Sequence, residues 1–322
     1  MKVLLTGAFG NVGRSALTEL LQHDVNVRCF DVPTRTNQKA AARAQRELKH
    51  PFEIMWGDLR NPEDVFKAVQ GVDVVLHLAF VIPKLSATGV NCEDRPDWAR
   101  EINVGGTANL IHAMQAQTPP PRLIFTSSLH IYGHTQTLPP PRTVQDVPCP
   151  VEHYAHHKVE CEKLVRESGL QWCIFRLGAA LPMRLIMDPG MFDVPLNNRI
   201  EFVHTRDVGF ALANALDNDE VWGKTLHIGG GRGCQVYYRE MMQKVLGATG
   251  VGELPDGAFT TEEFATDWLD TAESQRILHF QRHTLDDYAR QLRKKVGALR
   301  GLIITLRPLV RLYLLSFSPY RR

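Results

Sequence analysis

Short unbroken apolar runs alternate along this chain with longer segments in which apolar residues recur every third or fourth position. The runs 2–7 (KVLLTG), 25–31 (VNVRCFD), 52–58 (FEIMWGD), 73–79 (DVVLHLA), 122–128 (RLIFTSS), 170–178 (LQWCIFRLG) and 224–231 (KTLHIGGG) predict strands. Continuous apolar content in the central runs predicts burial on both faces, the habit of a parallel sheet. Between them, 11–24 carries Val12, Ala16, Leu20 and Leu21 at helical spacing, and 61–69 opens with an asparagine cap and a proline at the first helical position. Segments 103–116, 154–165 and 234–250 are also predicted as helices, and a polar, alanine-rich stretch fills 37–49. Strand–helix alternation of this kind predicts an α/β fold built on a doubly wound parallel sheet.

The first strand runs into TGAFGNVG (6–13), and the first helix follows at once. Glycines there let the backbone turn tightly and approach a pyrophosphate, while the helix N-terminus offers free N–H groups and a partial positive charge. An acid, Asp31, ends the second strand. A carboxylate at that place accepts adenosine ribose hydroxyls and repels a 2′-phosphate, so a Rossmann-like domain with NAD is expected, ahead of NADP. Arg28 and Arg35 are close enough in sequence to keep NADP as the alternative. Gly7, Phe9, Gly10, Asn11, Val12 and Gly13 are the expected pyrophosphate-side residues.

A second signal is YAHHK at 154–158, with Tyr154 and Lys158 one helical turn apart on one face. Alone it is compatible with a solvated helix. Together with TGAFGNVG, Asp31, GDL (57–59), HLAF (77–80), INVGGTANL (102–110), FTSSLHIYG (125–133), FVHTRDV (202–208) and HIGGG (227–231), it makes the chain resemble the extended short-chain dehydrogenase/reductase family over residues 1–285. That family includes nucleotide-sugar epimerases, dehydratases and carbonyl reductases.

The resemblance implies a Ser–Tyr–Lys site of Ser128, Tyr154 and Lys158, with Ser127 the next candidate hydroxyl. It further implies Asp58 and Leu59 near the adenine, Leu78, Ala79 and Phe80 along the middle of the cofactor, Asn103 anchoring the segment beneath the nicotinamide side, and Thr126 facing that ring. Lys158 and a nicotinamide cation would draw the Tyr154 phenol down from its ordinary value near ~10. No metal is expected.

Three departures from the family's patterns narrow the expectation. Leu129 and His130 stand where dehydratases carry an acidic pair, so elimination is disfavoured; His130 is left as a proton donor or a loop contact. Only 179–201 separates FRLG from FVHTRDV, too short for the usual grip on a nucleotide sugar, although Arg184 could bind an anion. The expected activity is therefore oxidation of a secondary alcohol or reduction of a ketone, on a small or lipid-like molecule. Epimerisation through a keto intermediate is the alternative, and a non-catalytic NAD sensor comes third.

Composition bears mainly on the tail. The chain has 322 residues, 44% hydrophobic and 22% charged, with a net charge of +2. Nine of the 37 Lys and Arg follow residue 288, where there is no Asp or Glu, leaving 28 basic residues against 35 acidic ones in the body. Arg293, Arg300, Arg307 and Arg311 share one helical face of this basic amphipathic tail, with Pro308 as a break. Membrane-surface contact is one expectation for it; packing on the body or on a dimer partner, with the arginines solvated, is the other. The expected division is 1–176 with 201–231 as the NAD-binding domain, 177–200 with 232–287 as the substrate lobe, and 288–322 as the tail. Six dispersed cysteines and an N-terminus that starts directly in a strand suggest a cytoplasmic protein. A homodimer through 103–116 and 154–165 is expected, and no nucleic-acid partner.

Overall fold

The computed structural model describes residues 1–83, 89–184 and 189–320. Its strands are β1 (Lys2–Thr6), β2 (Asn26–Asp31), β3 (Glu53–Trp56), β4 (Val74–His77), β5 (Arg122–Ser128), β6 (Trp172–Leu177), β7 (Arg199–Glu201), β8 (Thr225–Ile228) and β9 (Gln235–Tyr237). Seven of them form one parallel sheet in the order β3-β2-β1-β4-β5-β6-β8. Every expected strand is present in it. The order reverses beside β1, between β2 and β4, which opens a crevice at the carboxyl ends of the strands.

The helices are α1 (Asn11–Leu20), α2 (Arg35–Glu47), α3 (Pro62–Val69), α4 (Pro96–Arg100), α5 (Gly106–Gln115), α6 (His153–Glu167), α7 (Thr205–Ala215), α8 (Tyr238–Thr249), α9 (Ala272–Leu278), α10 (Leu285–Val296), α11 (Leu299–Thr305) and α12 (Arg307–Leu315). Alternate residues of each strand point to opposite faces. Val3, Leu5, Leu76 and Phe175 pack with α1 and α7, while Leu4, Val75, Phe125 and Ile174 pack with α3, α5 and α6. Both faces are therefore covered, as the continuous apolar runs require.

Beyond the carboxyl edge, β7 and β9 pair antiparallel. Around them a separate core gathers Phe192, Phe202, Met241, Leu246, Phe259, Tyr288 and Leu292. Ile303 and Leu314 of the tail helices belong to this same core.

The tail meets the body through its arginines. Arg300 donates to the Ala248 carbonyl at 3.2 Å, Arg307 to that of Gly250 at 3.1 Å and Arg311 to that of Val251 at 2.9 Å. These oxygens lie at and just past the end of α8, where helix carbonyls lack partners and the dipole is negative. Gly250 turns the chain there with φ +95, and a β-carbon on it would come within 3.0 Å of Ile304. Neither expectation placed these arginines inward; they cap another helix instead of facing solvent or lipid. Pro308 sits in the first turn of α12, so the break falls where expected. Among the described residues no helix is long and apolar enough to cross a membrane.

Candidate active site

The glycine loop is held by β1 and β4 together. Thr6 accepts the backbone N–H groups of Leu78 and Ala79 at 3.1 Å each and meets His77 Nδ1 at 2.8 Å. A β-carbon on Gly7 (φ +64) would lie 2.8 Å from Ala79, and one on Gly13 would lie 2.1 Å from the Gly7 carbonyl. A side chain at Gly7 would push the turn off the segment after β4, and one at Gly13 would push α1 off the turn. Asn11 donates to the Ala180 carbonyl at 2.9 Å, tying that N-terminus to the loop after β6. Val12 is partly buried against the α1 side of the core.

Asp31 sits beside this turn. Its carboxylate accepts the Phe9 N–H at 3.0 Å, the Val32 N–H at 2.9 Å and the Asn37 amide at 2.8 Å. Two oxygens offer about four acceptor positions, so room remains for roughly one further donor, fewer than the two ribose hydroxyls expected. Burial pushes this acid up to about 6. Arg28 is unavailable to a phosphate: it is buried, donates to the Ala68 and Gln70 carbonyls and pairs with Glu53 at 2.9 Å. Arg35 remains exposed in the first turn of α2.

Arg14, on the first turn of α1, is held below its ordinary value by burial and then by the charges of Arg184 and Arg43. That surplus of positive charge beside the loop suits a diphosphate. Asp58 is engaged by Arg60 at 2.6 Å and by the Arg60 N–H, so its carboxylate works as a turn cap. Leu59 beside it is buried against Gly106.

Asn103 lies in a π-helical turn over Glu101–Gly105 and clamps Val81 from both sides, accepting its N–H at 2.7 Å and donating to its carbonyl at 3.0 Å. Phe80 follows from this, with its ring edge-on to Tyr154 at 5.7 Å. Thr126 donates to the His77 carbonyl at 3.1 Å, and its own carbonyl accepts Lys158 Nζ at 2.6 Å. The Ser128 hydroxyl accepts the His130 N–H at 3.2 Å and is a neighbour of the Tyr154 phenol, which it draws down. The residues expected to form one site thus meet around the carboxyl ends of β4 and β5.

The electrostatics differ from expectation. Burial brings Lys158 down to about 7 and pushes Tyr154 up to about 12; the neighbouring Ser128 hydroxyl pulls the phenol down, and the charges of Glu152 and Cys92 raise it further. Lys158 directs its ammonium to Thr126 and to the ring faces of Phe80 and Phe125, and Ser128 rather than Lys158 is the neighbour that draws the phenol down. A water-poor pocket disfavours both charged forms.

Several supporting residues carried no motif. Glu93 accepts the N–H groups of His153 and Tyr154 at 3.0 and 2.9 Å, capping α6 from a distant loop. Glu162 lies on the stripe of Tyr154 and Lys158, a further turn along, and holds Arg176 of β6 through two bonds of 3.0 and 2.8 Å. That spacing was the available signal. Arg176 also donates to the Tyr132 hydroxyl at 2.6 Å, which meets His227 Nε2 at 2.6 Å, so three of the quoted motifs converge on a buried brace. His204, Asp207 and His283 gather closely enough to offer metal ligands. Asp207, however, already accepts the Arg282 and His283 N–H groups and bonds the His283 ring, which suits a structural tie.

His130 bonds Glu152 at 3.0 Å and sets its ring edge-on to Tyr154 at 5.9 Å. It also ends a cavity of about 500 Å³ that runs past Ala179, Met191, Met241 and Leu292 to the tail helices. Among the described residues, Arg184 is the one lysine, arginine or carboxylate side chain in its wall.

Residues 3–181 match the model of the NAD dependent epimerase/dehydratase family. A 3-beta-hydroxysteroid dehydrogenase of Mycolicibacterium neoaurum is 33% identical over 187 residues, 54% of this chain and 46% of that protein. A UDP-glucose 4-epimerase of Pisum sativum is 31% identical over 144 residues, 43% of this chain and 39% of its own. The chain thus spans about half or less of the length of the curated relatives it matches. Among solved structures, a UDP-glucose-4-epimerase from Stenotrophomonas maltophila with bound NAD superposes with a TM-score of 0.78 at 22% identity, covering 94% of this chain and 99% of that one. A short-chain dehydrogenase/reductase superfamily protein from Agrobacterium tumefaciens, also with NAD, gives 0.72 at 21% identity, covering 95% and 100%. At these identities the two structures speak for the fold.

Proposed function

Because the chain belongs to the NAD-dependent epimerase/dehydratase family, its phenol, hydroxyl and lysine are to be understood around a nicotinamide, and we propose an NAD-dependent oxidoreductase that interconverts a secondary alcohol and a ketone on a hydrophobic, lipid-like molecule. The supporting observation is the cavity. Among the described residues its wall is mostly methionine, leucine, valine and isoleucine, with Tyr238, Tyr288, Thr249 and Thr266 as its hydroxyl-bearing members and Arg184 as its charged one, and His130, which lies against Tyr154, is part of it. A volume of about 500 Å³ falls in the usual range of ligand pockets, ~300–1,000 Å³. Apolar walls suit a molecule with few polar groups; the phosphates and hydroxyls of a nucleotide sugar would be left largely unpaired there. The similarity to a 3-beta-hydroxysteroid dehydrogenase favours the same side of the choice.

Bound NAD would supply the hydride acceptor. The glycine-loop N–H groups and Arg14 would face its diphosphate, Asp31 its adenosine ribose, and Leu78 to Phe80 its length. Asn103 fixes the segment below. Lys158 would hold the nicotinamide ribose, Ser128 would donate to the substrate oxygen, and Tyr154 would take the alcohol proton during oxidation and return it during reduction. A phenol pushed up to about 12 is protonated at neutral pH, which suits the ketone-reducing direction. Acting as a base, it needs added positive charge beside it.

The test is a screen of the purified chain with NAD against sterol, isoprenoid and long-chain secondary alcohols and against UDP-sugars. Net growth of the reduced-nicotinamide band with the apolar alcohols alone is expected. Interconversion of UDP-sugars with no net change in that band would overturn the reading in favour of an epimerase.

A further inference from the structure

The tail helices have their polarity reversed. Arg300, Arg307 and Arg311 point at the end of α8, while Leu299, Leu302, Leu306, Leu309, Leu312 and Tyr313 are 41–64% exposed. A run of exposed leucines this dense marks an interaction surface. We propose that the outward face of α11 and α12 seats in an anionic lipid surface, and that the cavity loads its apolar substrate from that surface between the two helices. The loading half rests on the apolar-substrate reading; the docking half stands without it.

Charge selects the occupant. Arg293, Lys294 and Lys295 are exposed at the end of α10, just before the apolar face, and no acidic residue occurs from 288 to 322. Lipid phosphates complement that set, with leucines below the headgroups and cations among them. A second copy on the same face would instead set cations against cations.

The cavity supplies the route. Leu299, Leu302 and Leu306 belong both to the exposed face and to the cavity wall, with Ile303 and Val310 lining the passage behind them. An apolar molecule could move from lipid to the neighbourhood of His130 along a continuous hydrocarbon surface.

The test uses the full chain and sedimentation with vesicles of phosphatidylcholine, with and without phosphatidylglycerol. The variant is Leu309→Asp with Leu312→Asp, two exposed residues outside the cavity wall. The wild type should sediment with the anionic vesicles and less with the neutral ones. The double variant should bind them on the order of tenfold or more weakly. Its NAD binding and its turnover of a short water-soluble ketone should be unchanged, while turnover of a vesicle-borne substrate falls.

A wild type left in the supernatant, or a variant that sediments equally, would overturn docking. So would a wild-type dimer that the variant converts to monomer without any vesicle binding. Vesicle binding without turnover of any apolar alcohol would uphold docking and overturn both the loading route and the apolar-substrate reading.

Discussion

The Lys158 ammonium stands over the Phe80 ring, 3.4 Å from its centre, while the Tyr154 ring centre is 5.8 Å away. The cation is steadied by an aromatic face and the Thr126 carbonyl, and among the described residues no carboxylate pairs with it. Burial lowers its pKa to about 7 from 10.5.

Folding therefore opposes protonation of Lys158. The stability contribution of this group is full above pH 10.5 and is lost as pH falls through about 7. Replacing Lys158 by methionine should raise the melting temperature at pH 6, by roughly 1–4 kcal/mol in unfolding free energy, and should abolish most turnover. Thermal melts of both proteins at pH 6 and pH 10 check this, with the gain expected to shrink at the higher pH. Stability and activity pull in opposite directions at this position.

Asp31 gives a different pH dependence. Burial raises it to about 6, so it is an ion above that pH and a neutral acid below. A ribose hydroxyl donates best to the ionised form. Titrating NAD by calorimetry should show affinity falling as pH drops from 8 to 5, and Asp31→Asn should flatten the profile while narrowing the preference over NADP. An unchanged profile in the variant would remove Asp31 from the nucleotide site.

Glu162 and Arg176 hold the helix bearing Tyr154 onto the sheet. Burial pushes the Glu162 carboxyl up, yet its bonds to Arg176 outweigh that and leave it below the usual range. Its contribution is thus present above pH 4.5 and lost as the medium is acidified through its folded value. Glu162→Ala should cost about 3–5 kcal/mol, since it strands a buried guanidinium. Denaturant unfolding at pH 7 measures this. A loss below 1 kcal/mol would mean that the bonds Arg176 already makes to the Tyr132 hydroxyl and the Val144 carbonyl are enough to hold it.

The glycine loop, Asp31 and the seven parallel strands were legible because each is a local requirement: a turn without β-carbons, an acid at a strand end, an apolar run. Tyr154 and Lys158 were legible through helical spacing. What spacing could not give was direction. Arg300, Arg307 and Arg311 do share a side, but the end of α8, far away in sequence, decided that this side faces inward. The same holds for Arg28, whose chemistry suits a phosphate but whose neighbours are the carbonyls of Ala68 and Gln70. Asp58 could be read as an adenine neighbour, a turn residue or both, and the sequence did not show that Arg60, two residues on, engages its carboxylate. The raised Tyr154 phenol depends on burial, which a motif does not express.

Single-turnover absorbance at the reduced-nicotinamide band tests the central claim most directly, with saturating NAD and an apolar secondary alcohol, comparing the wild type with Tyr154→Phe. The account predicts a rise that the substitution slows by about 10²–10⁴-fold, with the NAD dissociation constant unchanged. A phenylalanine variant that matched the wild type in rate and amplitude would contradict it.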